Sequence, residues 1–199
     1  YDAQQDIYMD MLKELEAAVA QIGSSTTMGA GDIMFQGDMA KWKAWGNSMM
    51  LRLAMRLTKA DSATAKAWAE KAVAAGTMTS NDHIAMVQHT DGPEGINKNG
   101  HGEVFDADGN PRMSKTFVDW MKDDPRLPIL AARRSDGSTA IADLIGMPNG
   151  STGVTVPDTS IYAEPNRGVI TGRDAPMVFQ TYAEVRLLKA EMAFRGWSV

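Results

Sequence analysis

The amino-acid sequence predicts a mostly α-helical fold, helical hairpins joined by long irregular loops. Three observations carry that expectation. Apolar residues recur at helical spacing over residues 2–22, 38–57, 62–75 and 181–196. Capping residues and glycines punctuate those stretches where helices begin and end. Between residues 77 and 176 glycine, asparagine, aspartate, threonine and proline dominate, and strand alternation is scarce.

The first helix is expected over 2–22, capped by Asp2 with Gln5 three residues on, a reciprocal arrangement that satisfies two free amides. Ile7, Met11, Leu15, Val19 and Ile22 form its stripe, and Gly23 closes it. GSSTTMGAGD, residues 23–32, reads as a small-residue loop. The second helix starts after Asp38, its N-cap, and runs to about Thr58. Trp42, Trp45, Met49, Leu53 and Leu57 make one stripe, while Met50, Leu51, Ala54 and Met55 continue around the other side. An element apolar on most faces belongs among other helices.

A third helix runs from Ser62 to Ala75 and stops at Gly76. Ala65, Ala69 and Ala72, beside Trp68 and Val73, let its axis approach the second helix closely in an antiparallel hairpin. Trp42-x-x-Trp45-Gly46-x-x-Met49 has the large, large, small, large spacing that opens a tetratricopeptide-type helix pair. The connector TKADSAT is longer than that repeat normally has. Residues 77–112 read as an exposed loop with at most a short hairpin. Ser114 caps a short helix through Phe117, Val118, Trp120 and Met121, halted by Pro125. A second irregular region covers 135–176, and loops of that length in compact domains are usually functional or disordered. The last helix opens on the capping box Thr181-x-x-Glu184 and carries Val185, Leu187, Leu188, Met192 and Phe194 to Gly196.

Composition narrows the function. With 199 residues, 44% apolar and 23% charged, the chain can bury a sizeable core. The net charge is −5, and no run of lysine and arginine could follow a phosphate backbone, which excludes nucleic acid as a partner. The longest apolar run, around Met49 to Met55, is interrupted by Arg52 and falls short of a membrane span. The absence of cysteine removes disulfides, thiolate metal sites and cysteine catalysis together.

Motifs that could carry chemistry fail on their details. DADGNP, from Asp106, begins like a calcium loop, but Pro111 stands where glycine is required and Phe117 where a bidentate glutamate belongs. A tight Asp-Gly turn between Val104-Phe105 and the next helix fits better. His83, His89 and His101 lack the spacing of a helical zinc site and are placed in loops. Asp123 and Asp124 are adjacent and point apart, unlike the paired carboxylates of a glycosidase. GxSxG is absent, and GAGD lacks the lysine and serine of a P-loop. No catalytic residue, cofactor or metal site is expected.

Four segments in order nonetheless resemble a known family. GDMAKWKAWGNSMMLRLAMRL (37–57), DDPRLPIL (123–130), GMPNG (146–150) and TYAEVRLLKAEMAFRGW (181–197) are similar to recurring segments of the SusD/RagB family. Gly46 stands where alanine is usual there, Met49 where leucine is, and Met192 where alanine is. The resemblance implies one SusD-like α-helical domain over 1–199, mostly α with tetratricopeptide-type hairpins. Its parts would be the helix pairs 2–22 and 38–76, a loop-rich insert 77–176 and a final helix 181–196. It also implies a surface-exposed outer-membrane lipoprotein of a Bacteroidetes-type cell, not an enzyme. Such a protein binds an oligosaccharide or other nutrient and works with a SusC-like TonB-dependent transporter. The family's lipid-bearing cysteine would lie upstream of Tyr1 and its last helices downstream of Val199. The rival reading is a helical-repeat protein–protein interaction scaffold without a small-molecule site.

Sugar rings stack their apolar C–H faces on exposed aromatic side chains, while Asn, Asp and Arg bond the hydroxyls. Trp42, Trp45, Trp68 and Trp197 fit helix interiors. That leaves Tyr162 as the candidate platform with Trp120 as its alternative, and Asn97, Asn99, His101, Asn149, Asn166 and Arg167 as polar contacts. Arg52 and Arg56, one turn apart on a buried helix, need carboxylate partners. Glu184 and Glu191 are the expected ones, with Asn47 bonding backbone nearby.

Overall fold

A computed structural model describes residues 2–23, 29–92, 97–150 and 158–199. The parts of the expected loops at 24–28, 93–96 and 151–157 lie outside the described residues. In chain order the elements are α1 (Gln4–Gln21), α2 (Met39–Arg56), α3 (Ser62–Ala74), β1 (Ala85–Val87), α4 (Gly100–Ala107), α5 (Lys115–Met121), α6 (Leu127–Leu130), β2 (Ala131–Arg133), β3 (Ala163–Pro165), β4 (Met177–Gln180) and α7 (Tyr182–Phe194). The mostly helical expectation holds, and no helix among the described residues is long and apolar enough to cross a membrane. Chain contacts define two units, Tyr1–Val87 with Val178–Val199, and Gln88–Met177.

In the first unit α2 is the central rod. Asp38 accepts hydrogen bonds from the backbone N–H of Ala40 and Lys41 at 3.0 and 3.1 Å, which starts the helix where expected. Met50, Leu51, Ala54 and Met55 are buried, and the alanines Ala65, Ala69 and Ala72 of α3 close on them. Asn47 donates from Nδ2 to the carbonyls of Ala75 and Gly76 at 3.1 and 2.8 Å, tying off the end of α3 as anticipated. Gly76, at φ +96°, makes the turn there. Trp42 and Trp45 are core residues, packed with Phe35 in edge and tilted contacts. The Trp42 indole N–H donates to the Asp32 carboxylate at 2.7 Å. Burial pushes the Asp32 pKa upward, but this bond and the backbone donors of Gly37, Phe35 and Met34 outweigh it and bring the value down to about 2.

Two expectations about the outer helices are corrected. Ala3, not Asp2, caps α1, because the first intrahelical bonds of Asp6 and Ile7 run to the Ala3 carbonyl. The core position of α1 is Leu12, flanked by Met9 and Leu15, while Ile7 is 44% exposed. One residue of offset turns the buried face by about 100°. On α7, Val185 and Met192 are buried as expected, but Leu187 and Phe194, seven apart and therefore on one face, are exposed.

The ionic clamp is half as extensive as the sequence suggests. Arg52 grips Glu184 with two bonds, from Nε at 2.5 Å and Nη2 at 2.6 Å, and Nη2 also reaches the Phe179 carbonyl at 2.8 Å. Thr181 caps α7 through the Glu184 N–H, but the Glu184 carboxylate faces Arg52. Arg56 is exposed and does not meet Glu191, which pairs with Arg195 one turn along its own helix at 2.6 Å. The reason is direction. After Glu184 the chain runs toward α3, where the Ser198 N–H donates to Glu70 at 2.9 Å. The seven residues from Glu184 to Glu191 advance about 10 Å, enough to carry Glu191 off α2.

The second unit holds more structure than its sequence advertises. Residues 100–107 form α4 inside the expected loop, so Val104, Phe105 and His101 are helical. Asn99 caps α4 through the His101 N–H at 2.9 Å, and Gly102 lets it lie against the Gly172–Arg173 backbone, which a Cβ would meet at 2.9 Å. Ser114 caps α5 as expected. Val118, Met121, Leu127, Ala131, Leu144 and Ala163 make a separate core. Strands β2 and β3 pair antiparallel, with Ala132 opposite Glu164 and Arg133 opposite Ala163.

A Cβ added to Gly46 would collide with Val19 on α1. Gly46→Ala gains about 1 kcal/mol of helix propensity but incurs about 1–3 kcal/mol of overpacking. Thermal melts should show a net loss of about 1 kcal/mol, recovered in large part when Val19→Ala is added. Glu184→Ala, which strands Arg52, should cost about 1–3 kcal/mol. Arg56→Met and Glu191→Ala should each stay within about 0.5 kcal/mol in the same melts.

Candidate functional site

A strand that alternates its side chains leaves Glu164 in the interior of the second unit, with its side chain 8% exposed. A carboxylate so placed requires cationic partners. Three arginines from three segments supply them. Arg167 donates from Nε at 3.0 Å, Arg134 from Nη1 at 3.4 Å, and the Arg112 guanidinium stands 3.9 Å away.

Arg112 is the most enclosed, its side chain 5% exposed. Its Nε donates to the Thr159 carbonyl at 2.8 Å, and Nη1 donates to the carbonyls of Gly109 and Pro111. Burial pulls its pKa below the ordinary guanidinium value, Glu164 opposes that pull, and the like charges of Arg134 and Arg167 add to it. Arg167 also donates to the Phe105 carbonyl and stands 3.9 Å from Asp106, which pairs with Arg173 at 2.6 Å.

Tyr162 belongs to the same assembly. Its N–H donates to the Thr159 carbonyl that Arg112 holds, and its carbonyl accepts from the Arg134 N–H at 3.1 Å. It is half-buried. Tyr162 immediately precedes β3, whose central residue Glu164 is reached by Arg134. The result is an aromatic residue whose backbone is bonded within a cluster of guanidinium groups. Stacking and hydrogen bonding to a polar ligand are what such a surface can do.

The other residues named from the sequence are dispersed. Asn166 is next in line, its Oδ1 accepting from the Gly168 N–H. Asn99 is buried, and its Nδ2 donates to the Ala175 carbonyl at 2.8 Å, so its side chain holds the fold together. Asn97 is exposed and bonds the Gln88 carbonyl. His101 and Asn149 are exposed. Trp120 is 76% exposed on α5, whereas the other four tryptophans pack against the core of the first unit. Arg112, Arg134 and Glu164 escaped the sequence reading. The available signal was Glu164 three residues before Arg167.

In the first unit, a hollow of about 490 Å³ is lined by Gln4, Gln5, Tyr8, Arg56, Asp61 and Thr64 among others. It is where the side chain of Arg56 goes in place of the expected ion pair.

Helical hairpins of tetratricopeptide type with a loop-rich unit give the chain the fold of SusD-like proteins. The chain belongs to the SusD-like family: the family's sequence profile, described as "Starch-binding associating with outer membrane", matches residues 1–199. No curated protein sequence matches it. Among solved structures it is similar to a chitin-binding protein at 30% identity and a TM-score of 0.82, over 100% of this chain and 45% of that one. A chitin-binding SusD homologue from Flavobacterium johnsoniae matches at 28% identity and a TM-score of 0.82, over 100% and 41%. A SusD-like protein from Bacteroides thetaiotaomicron matches at 27% identity and a TM-score of 0.80, again over 100% and 41%. The chain thus spans less than half the length of these relatives.

Glu164→Gln removes the one anion that three guanidinium groups share. It should destabilise the protein by about 3 kcal/mol, read as a fall in Tm. Arg134→Gln, at the exposed edge of the cluster, should cost about 1 kcal/mol or less.

Proposed function

We propose that the chain is part of a surface-exposed outer-membrane receptor, lipid-anchored and without catalytic activity, that binds an oligosaccharide and passes it to a SusC-like TonB-dependent transporter. Family membership supports the class. The observation that carries the reading is Tyr162: a half-buried aromatic residue of the loop-rich unit, its N–H on the Thr159 carbonyl that Arg112 also holds and its carbonyl on the Arg134 N–H.

In this reading the sugar ring lies against Tyr162 while Arg134, Arg167 and Asn166 bond its oxygens. Trp120 offers a second platform for a longer chain. Asn97, His101 and Asn149 are exposed loop and helix-end groups available to flanking sugars, and Asn99 sets the position of His101. Pre-set backbone around an aromatic platform lowers the ordering cost of binding, which matters where each sugar contact is weak.

The test is affinity gel electrophoresis of the full-length protein against a panel of neutral and acidic polysaccharides. Tyr162→Ala should reduce retention on the bound polymer by tenfold or more, about 1.4 kcal/mol or upward. Retention unchanged in both Tyr162→Ala and Trp120→Ala would remove the site from the loop-rich unit.

A further inference from the structure

We infer that the sugar held beside Tyr162 carries an acidic group, a carboxylate or a sulfate ester, and that Arg134 receives it. This rests on the glycan-binding reading and names the ligand's chemistry. The protein as a whole carries a net charge of −5, so an anion is repelled over most of its surface. Around Glu164 guanidinium groups gather. Arg112, Arg134, Arg167 and Arg173 face Glu164, Asp106 and Asp108, four cations against three anions.

The four cations differ in what they have left to offer. Arg112 is enclosed and bonded to backbone carbonyls from Gly109, Pro111 and Thr159. Arg167 divides its donors between Glu164 and the Phe105 carbonyl. Arg173 is paired with Asp106 at 2.6 Å. Arg134 has one long bond to Glu164, at 3.4 Å, and its side chain is 36% exposed.

A guanidinium has five donors in a planar fork that matches carboxylate or sulfate oxygens two at a time. Among the three arginines around Glu164, Arg134 is the most exposed and holds a single long side-chain bond, so its fork is the open position there. Its placement fixes which part of a ligand reaches it. The Arg134 N–H bonds the Tyr162 carbonyl at 3.1 Å, one position beyond the β2–β3 pairing. Residues so placed stand about 5 Å apart, the scale of one sugar ring. A ring on Tyr162 would carry its acidic substituent to Arg134.

The experiment runs full-length native protein, Arg134→Gln and Arg134→Lys through affinity gels. Starch and soluble chitin derivatives form the neutral arm, polygalacturonate the carboxylate arm, and carrageenan the sulfate arm. The native protein should be retained by one of the acidic polymers more strongly than by the neutral ones, and retention should weaken as salt is added. Arg134→Gln should lose roughly tenfold in retention, the value of one charge-assisted contact, and Arg134→Lys should recover part of it. Retention by neutral polymers alone would overturn this inference and leave the glycan-binding reading standing. Acidic retention equal in native protein and Arg134→Gln would overturn it too, and retention by no polymer would overturn both.

Discussion

The helical unit depends on the ion pair between Arg52 and Glu184. Arg52 sits on a helix that is apolar around most of its circumference, where an unpartnered cation would be strongly destabilising. Its partner lies 132 residues further along the chain. The bonding is two-pronged, and the side chains are 22% and 34% exposed, so the pair is partly screened and its net contribution is modest. Its structural consequence is larger than its energy. Glu184 is held in register by the Thr181 cap, and Gln180 beside it donates to the Ser48 carbonyl of α2 at 3.1 Å. The returning chain therefore enters α7 at one defined place, next to the β4 strand that pairs with β1.

Three consecutive residues of α2 show how one helix organises its surroundings. Successive helical residues point about 100° apart, and here each addresses a different neighbour. Gly46 has no side chain, and Val19 of α1 fills its place. Asn47 binds the carbonyls that end α3. Ser48 accepts from the Met78 N–H at 3.0 Å and donates to the Ala44 carbonyl. A small residue, an amide and a hydroxyl thus dock α1, α3 and the segment after α3 on one turn. Alanine at position 46, as the family resemblance would have it, conflicts with this arrangement because Val19 is β-branched and has little rotamer freedom.

The helices of this unit were legible because each is written locally. Asp38 and Thr181 cap as their spacing suggests, and the burial of α2 and α3 follows from apolar periodicity. The pairing of Arg52 with Glu184 was legible too, since a cation on a buried helix demands an anion. The pairing of Arg56 with Glu191 was not there to be found: one-dimensional spacing cannot tell at what angle two helices cross. Helix α4 was hidden because its glycines weaken the helical signal, while Gly102 is required by a close backbone approach that only the folded chain reveals. The candidate site was legible in fragments. Tyr162 and Arg167 stood out as an aromatic and a cation in a loop, but Arg112 and Arg134 enter through contacts spanning 52 and 30 residues, and no local pattern reports those.

The two ionic assemblies also differ in stoichiometry. Arg52 and Glu184 form a closed pair. Each satisfies the other, and an incoming ligand would have to break a bidentate contact to use either. Three guanidinium groups around Glu164 cannot all be satisfied by one carboxylate, which has about four acceptor positions. Arg112 compensates with backbone carbonyls and Arg167 with one, leaving the mutual repulsion of like charges to be tolerated by the fold. Such repulsion lowers stability, and the bonds of Arg112 and Arg167 to backbone carbonyls offset it.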